Sequence, residues 1–532
     1  MLEKQKTASD NGNQKGDLTY LWLVIFLAGA GTMMVEFAAS RLLGNVFGTS
    51  NLVWAVVIGL VLVYLTLGNW LGGKWADKHP LFAHFFGIIA LAGVFTALVP
   101  IVSRALLSRS ADAFDQLDLP ILAGAFITVL VLFILPITLL GMVTPFALKL
   151  TILDTQKTGS TSGKLSAIST IGSFLGTFLT VLVLIPQVGT YRTFIITSLL
   201  LLIVALPGLY KHAKKVVFFV FLGLTVLIAG LGWLGVNGLI KSTKGMVYET
   251  ESAYNYIQVL EEAEYHFLRL NEGQGMHSIW HPQEVFYSGP WSQPLVATFF
   301  NPPEVNPVSV ERIAVLGLAG GTTARQASIA YPDAKIDGWE IDPEIIRVGN
   351  EWFGMDLPNL TAIAQDARWG IRHSQKQYDV ISIDAYRPPY IPPHMVTVEF
   401  FREVAEHLSD RGAIAINIGR GPADRSLLNS MTSTVSMVFP SVFVMDLPNS
   451  YNSVLFATKR YDSSWENFET NLAKVSAEEP GGLIERSGQL TLAGKTQLFT
   501  STLVFTDDKA PIESVTNRMV LNFLKNDAKE LE

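Results

Sequence analysis

Three carboxylates close three successive predicted strands: Glu340, Asp366 and Asp384. A glycine turn, Gly317-Leu318-Ala319-Gly320-Gly321, precedes the first of them by about 20 residues. Glycines let a backbone turn sharply and approach a ligand, and a following helix N-terminus favours polar or negative groups. A carboxylate at that distance, such as Glu340, can bind both hydroxyls of a ribose. Asp366 falls where an adenine amino group would lie. Asp384 reaches the same crevice, outside the carboxyl ends of the strands. The chemistry implied is recognition of an adenine nucleoside.

The elements that must position these residues alternate. Strands are predicted over Arg312–Leu316, Lys335–Glu340, Thr361–Gln365, Tyr378–Asp384 and Ala413–Ile418, and helices over Thr322–Ala330, Pro343–Trp352 and Val398–His407. Such alternation implies a doubly wound parallel sheet. Ahead of it, Tyr254–Glu261 and His266–Asn271 form a predicted hairpin around Glu262-Ala263-Glu264-Tyr265. The Pro-rich stretch Arg387–Pro393 cannot be helix. The histidines 266, 277, 281, 373, 394 and 407 show no metal-ligand spacing, so no metal is expected.

The first 245 residues differ in kind. They hold 17 Lys and Arg against 9 Asp and Glu, whereas the remainder holds 22 against 37. An acidic catalytic half disfavours nucleic acid as a partner. Seven apolar stretches reach bilayer length, near Tyr20–Leu43, Leu52–Gly73, Leu81–Leu107, Pro120–Leu140, Leu165–Pro186, Tyr191–Leu209 and Val216–Ile240. The fourth can continue past a break at Pro136 or Pro145 towards Leu150. Glu36 lies inside the first stretch, where Arg41 is its expected ion-pair partner. The division expected is a polar tail (1–18), a membrane domain of about seven helices (19–245), a small β-domain (246–310) and a Rossmann-like nucleoside-binding domain (311–532). The Lys/Arg bias of the loops puts the N-terminus inside. With seven crossings it puts the acidic half outside, against the expectation of a cytosolic cofactor.

Residues 248–420 resemble spermidine synthases, the polyamine aminopropyltransferases. Tyr254-Asn255 is similar to the family's Tyr-Gln pair, and Leu270-Asn271-Glu272-Gly273 to the hairpin before its gating segment. His277 lies near the family's glutamine. Gly317–Gly321 is similar to the nucleotide loop, Trp339-Glu340-Ile341-Asp342 to the ribose motif and Asp366-Ala367 to the adenine motif. Tyr378–Asp384 is similar to the strand ending in the catalytic aspartate. The membrane half contains Gly68-Asn69-Trp70-Leu71-Gly72-Gly73-Lys74-Trp75-Ala76-Asp77-Lys78, which resembles a major-facilitator loop. The whole chain is similar to the membrane-fused spermidine synthases.

The resemblance implies transfer of an aminopropyl group from decarboxylated S-adenosylmethionine to an amine or polyamine, with Asp384 as general base and 5′-methylthioadenosine released. It implies that Tyr254, Asn255, His277, Tyr386 and Arg387 face the substrates, and that the chain is an integral, multi-pass protein of a bacterial-type inner membrane. A homodimer through the β-domain is also implied. Three departures stand out. Gly320 replaces the aspartate that grips the aminopropyl amine, Arg387 replaces a second active-site aspartate, and Trp291-Ser292 replaces a Tyr-His pair. They open two alternatives, an S-adenosylmethionine-dependent methyltransferase and a non-catalytic nucleoside- or polyamine-binding transporter or sensor.

Overall fold

The computed structural model describes residues 2–47, 51–117, 121–152, 158–234, 243–271, 275–303, 309–386, 390–475, 482–519 and 522. The chain forms two compact units, residues 1–242 with 250–253, and residues 243–249 with 254–532.

The first unit is helical: α1 (Leu2–Phe47), α2 (Asn51–Lys78), α3 (Phe82–Leu117), α4 (Ile121–Gly141), α5 (Val143–Thr151), α6 (Thr158–Leu179), α7 (Ile185–His212) and α8 (Lys215–Leu234). A π-helical turn, Thr180–Leu184, joins α6 to α7. Among the described residues, six helical stretches are long and apolar enough to cross a membrane, and the fifth runs 55 residues, Thr158–His212. Straight, it would span about 80 Å, far more than one bilayer. It is bent at Gly189, whose φ of 81° and ψ of 168° are not helical. Gly172 and Gly176 of α6 lie against Phe26 and Ala30 of α1, so these helices run parallel. Beyond the bend, Leu201 touches Gly31, and Tyr20 donates to the Val204 carbonyl, so α7 runs antiparallel to α1. The 55 residues are therefore two oppositely directed arms.

Glycines set the closest approaches. A Cβ at Gly172 would lie 2.0 Å from the Phe26 carbonyl oxygen, and one at Gly68 would lie 2.2 Å from that of Thr138. The small face of the GNWLGGKWADK stretch is thus where α2 meets α4. The fourth apolar stretch does continue, to Thr151, but it breaks at Met142. That break puts Pro145 in the first turn of α5, where a missing N–H costs nothing. Arg41 does not pair with Glu36. Its guanidinium lies 3.7 Å from Glu251 and donates to the Ser252 carbonyl at 2.9 Å. Glu251 also accepts from Asn45 at 3.0 Å and from the Thr190 N–H and hydroxyl, each at 2.6 Å.

The second unit carries two sheets. The first has order β1 (Met246–Glu251), β2 (Tyr256–Glu262), β3 (Tyr265–Leu270), β4 (Ser278–Trp280). Its β2–β3 turn is two residues, Ala263 and Glu264, both at positive φ, the conformation a tight hairpin requires. A 3-10 helix, Pro290–Phe300, follows. Then come β5 (Arg312–Leu316), α9 (Thr322–Ala330), β6 (Lys335–Glu340), α10 (Pro343–Trp352), β7 (Leu360–Ala364), α11 (Ala367–His373), β8 (Tyr378–Ile383), α12 (Val398–Glu406), β9 (Leu408–Gly419), α13 (Ser426–Ser436), β10 (Ser441–Asp446), β11 (Asn452–Thr458), α14 (Trp465–Leu472) and α15 (Leu483–Ala493).

The seven-stranded sheet has order β10-β11-β9-β8-β5-β6-β7. β9, β8, β5, β6 and β7 are parallel, while β11 and β10 form an antiparallel edge that the alternation did not predict. Helices α11, α12 and α13 cover one face through Ile371, Phe400, Phe401 and Met431. The 3-10 helix with α9, α14 and α15 covers the other through Phe299, Phe300, Ala327 and Phe468. α10 packs Ile345 and Val348 against Ile257, Val259 and Leu268 of the small sheet. Strand order reverses between β5 and β8, so the loops leaving these strands flank the crevice where such sheets bind ligands.

Candidate active site

The turn after β5 is built by conformations that few residues tolerate. Gly317 has φ +96°, and a Cβ there would lie 2.5 Å from the carbonyl oxygen of Asp384. Gly321 has φ +85°, and a Cβ there would lie 2.4 Å from Met355. Ala319 holds φ +47° despite its side chain. Gly317 thus lets the loop lie directly against the end of β8, and the glycine turn and Asp384 meet.

Glu340 is buried at the end of β6, and both its oxygens are engaged. Oε2 accepts from the Ala319 N–H at 3.0 Å and Oε1 from the Asp342 N–H at 3.1 Å. Burial pushes its carboxyl up to about 7, and the backbone N–H groups oppose that rise. Each oxygen keeps a further lone pair for a ligand hydroxyl. Ile341 follows, exposed enough to offer an apolar wall. Asn255 donates to Asp342 at 2.9 Å and accepts from Asn271 at 2.9 Å, which ties the small sheet to the segment that follows β6. Tyr254 beside it is exposed, and the strand begins only at Tyr256.

Gly320 sits where the resemblance expects an aspartate. Its N–H donates to Ser278 Oγ at 2.8 Å, and a Cβ would lie 3.0 Å from Ser278 Cβ and 3.2 Å from Phe353. Ser278 and Phe353 therefore crowd any longer side chain. His277 precedes Ser278. Its imidazole is held neutral, burial lowering it to about 4, and Nε2 is buried without a hydrogen-bond partner among the described residues. Trp291 and Ser292 are buried in the 3-10 helix rather than lying in an open gating segment.

Asp384 follows β8, with its backbone N–H bonded to Leu316 at 2.9 Å. Burial pushes its carboxyl up to about 6, and a 2.9 Å hydrogen bond from Asn417 Nδ2 opposes the rise. Tyr386 lies beside it. The Tyr386 hydroxyl accepts from the Gly419 N–H at 2.7 Å and lies 3.2 Å from the Asn417 carbonyl. Arg387 lies outside the described residues.

Asn417 is the residue that sequence reasoning missed. Its Oδ1 is buried and has no partner among the described residues, while its amide holds Asp384. The available signal was a polar residue inside an apolar strand, Ala413-Ile414-Ala415-Ile416-Asn417-Ile418.

Asp366 and Ala367 stand at the start of α11. Asp366 Oδ1 caps the helix by accepting the Trp369 N–H at 2.8 Å. Its Oδ2 lies 3.0 Å from His394 Nε2, which with the cap bond holds the carboxyl below the usual range. Ala367 is buried. Among the described residues no group of three or more His, Asp or Glu could hold a metal ion.

No family model matches the chain. A probable polyamine aminopropyl transferase from Bifidobacterium longum is 30% identical over 289 residues, 50% of this chain and 61% of that protein. The chain thus spans about three fifths of that relative's length. A polyamine aminopropyltransferase from Vibrio vulnificus is 27% identical over 40% of this chain and 71% of its own. One from Corynebacterium efficiens is 24% identical over 80% and 82%. The human eEF1A lysine and N-terminal methyltransferase is 28% identical over 27% of this chain and 22% of its own. The chain is thus similar, over part of its length, to polyamine aminopropyltransferases, and its described N-terminal residues carry six apolar helical stretches of membrane length.

Proposed function

We propose that the α/β region transfers an aminopropyl group from decarboxylated S-adenosylmethionine to an amine, and that the apolar helices hold it in a membrane. The arrangement of Asp384 carries this reading: a half-buried carboxylate beside the nucleotide loop, raised to about 6 and oriented by Asn417. Glu340 takes the ribose hydroxyls, Ile341 and Ala367 line the base and Asp366 accepts from its amino group. Gly317, Gly320 and Gly321 let the backbone approach. The acceptor amine binds between Asp384 and the free Oδ1 of Asn417, with Tyr386 alongside. His277, Asn255 and Tyr254 border the donor.

The acceptor is an ammonium in water and must lose a proton before it can attack. Asp384 takes that proton, and a raised carboxyl is the better base. The amine lone pair then attacks the carbon next to the sulfonium, the C–S bond breaks, and its electrons stay on sulfur in neutral 5′-methylthioadenosine. Arg387 disfavours long cationic acceptors, since like unit charges 4 Å apart repel by about 4 kcal/mol at an effective dielectric of 20.

The test is product analysis with labelled decarboxylated S-adenosylmethionine and a panel of amines. 5′-Methylthioadenosine should appear, and Asp384→Asn should lower turnover by about 10²–10⁴-fold with nucleoside affinity kept. Arg387→Asp should improve the use of putrescine and spermidine. No 5′-methylthioadenosine with any amine, from wild type or Arg387→Asp, sinks the proposal. One observation favours a second reading. The loop position that would grip an aminopropyl ammonium is Gly320, crowded by Ser278, which removes a carboxylate that would repel that of S-adenosylmethionine. A methyltransferase would release S-adenosylhomocysteine in the same assay.

A further inference from the structure

We propose that His394 is a positioning residue that sets nucleobase specificity, by fixing the Asp366 carboxylate so that it accepts a 6-amino group and rejects a 6-oxo group. The inference rests on the reading that Asp366 meets the base. An N-cap needs one carboxylate oxygen, and Asp366 supplies Oδ1 to the Trp369 N–H at 2.8 Å. The second oxygen has no part in the cap. It is held at 3.0 Å by an imidazole 28 residues further on. An ionised carboxylate only accepts, so His394 Nε2 must be the donor.

His394 is itself anchored. It lies in the short 3-10 turn Pro393–Met395, behind two prolines that fix the backbone. Its carbonyl accepts from Arg368 Nη1 at 2.8 Å. Arg368 forms paired hydrogen bonds with Glu403 (2.9 and 2.9 Å) and with Asp507 (2.7 and 2.8 Å). Asp507 in turn accepts from Thr397 at 2.6 Å. The turn is thus pinned to α11, α12 and the 507 segment, and the imidazole is aimed from that frame. Both side chains of the pair stay partly open, 46% for His394 and 35% for Asp366, so a base can reach them.

With both oxygens fixed, the remaining lone pairs of Asp366 point in set directions. An exocyclic amino group can donate to them. A carbonyl oxygen at the same ring position brings lone pairs against lone pairs. A site built to bond a ligand N–H discriminates strongly against the analogue that lacks it.

The experiment compares 5′-methylthioadenosine with 5′-methylthioinosine by calorimetric titration in wild type, His394→Ala, His394→Gln and Glu340→Gln. His394→Ala should weaken the adenine compound about tenfold and leave the inosine compound nearly unchanged. His394→Gln, whose amide can still donate, should recover most of the preference. An unchanged preference in His394→Ala, or an equal loss for both compounds, overturns the proposal. Glu340→Gln keeps the two failures apart. If it weakens both compounds while His394→Ala moves neither, only the His394 role is lost. If Glu340→Gln also changes nothing, the nucleoside site itself is wrongly placed.

Discussion

Two carboxyls at strand ends carry most of the proposed chemistry, and burial shifts both upward: Glu340 to about 7 and Asp384 to about 6. Their effects on activity and on stability have opposite signs. A protonated Asp384 cannot take the acceptor's proton, so turnover should fall as pH drops through about 6, as a pH–rate profile will read. The folded protein binds more protons than the unfolded chain between the ordinary carboxyl range and about 7. The contribution of these two groups to stability should therefore fall as pH rises through that window. Glu340→Gln replaces a charged acceptor by a neutral one, and 5′-methylthioadenosine should bind roughly tenfold to a hundredfold more weakly by titration. The placement of Glu340, Asp366 and Asp384 at or just beyond strand ends was legible from the alternation of strands and helices. The capping of α11 by Asp366 and its bond to His394 were not, since nothing in the spacing links residues 28 apart across a crossover.

At the scale of elements, Arg312–Leu316, Thr322–Ala330, Lys335–Glu340 and Pro343–Trp352 were readable to the residue, because glycines, the Asp342 N-cap and a proline at the first helical position punctuate them. The edge hairpin β10–β11 was not read. Its signal was the five-residue link 447–451, too short for the crossover that parallel strands need. β9 begins at Leu408, earlier than its apolar run, because Leu408 pairs with Tyr378 ahead of a register shift. Among the apolar helices, glycine contacts were legible as small residues but not as pairs. Gly172→Leu should force α6 off α1, where no Cβ fits beside the Phe26 carbonyl. Overpacking of this kind costs about 1–3 kcal/mol, and a lowered unfolding temperature in detergent would register it.

For the whole molecule, the sequence separates an apolar half from an acidic one, and the structure divides the chain at nearly the same place. The number of crossings turns on Gly189. If all six helical stretches cross a bilayer, the oppositely directed arms on either side of it bring the passes to seven. Positions 6 and 461 should then face opposite sides. The chain contains no cysteine, so single Lys6→Cys and Tyr461→Cys variants have no background, and Tyr461 is 90% exposed. An impermeant maleimide should label one of the two in intact cells. Equal labelling of both would mean an even number of passes.

The bond between Glu251 and Thr190 also sets an order of events during synthesis. The arm beginning at Thr190 is capped by a side chain 61 residues downstream. At about 5–20 residues per second, the ribosome needs roughly 3–12 s to supply it. Through that interval the Thr190 N–H lacks its Glu251 partner. A chain stopped before residue 250 would carry every apolar stretch and yet lack the carboxylate that closes the hairpin and meets Arg41. The helical unit is therefore completed by residues 250–253, which the chain returns to it after the second unit has begun.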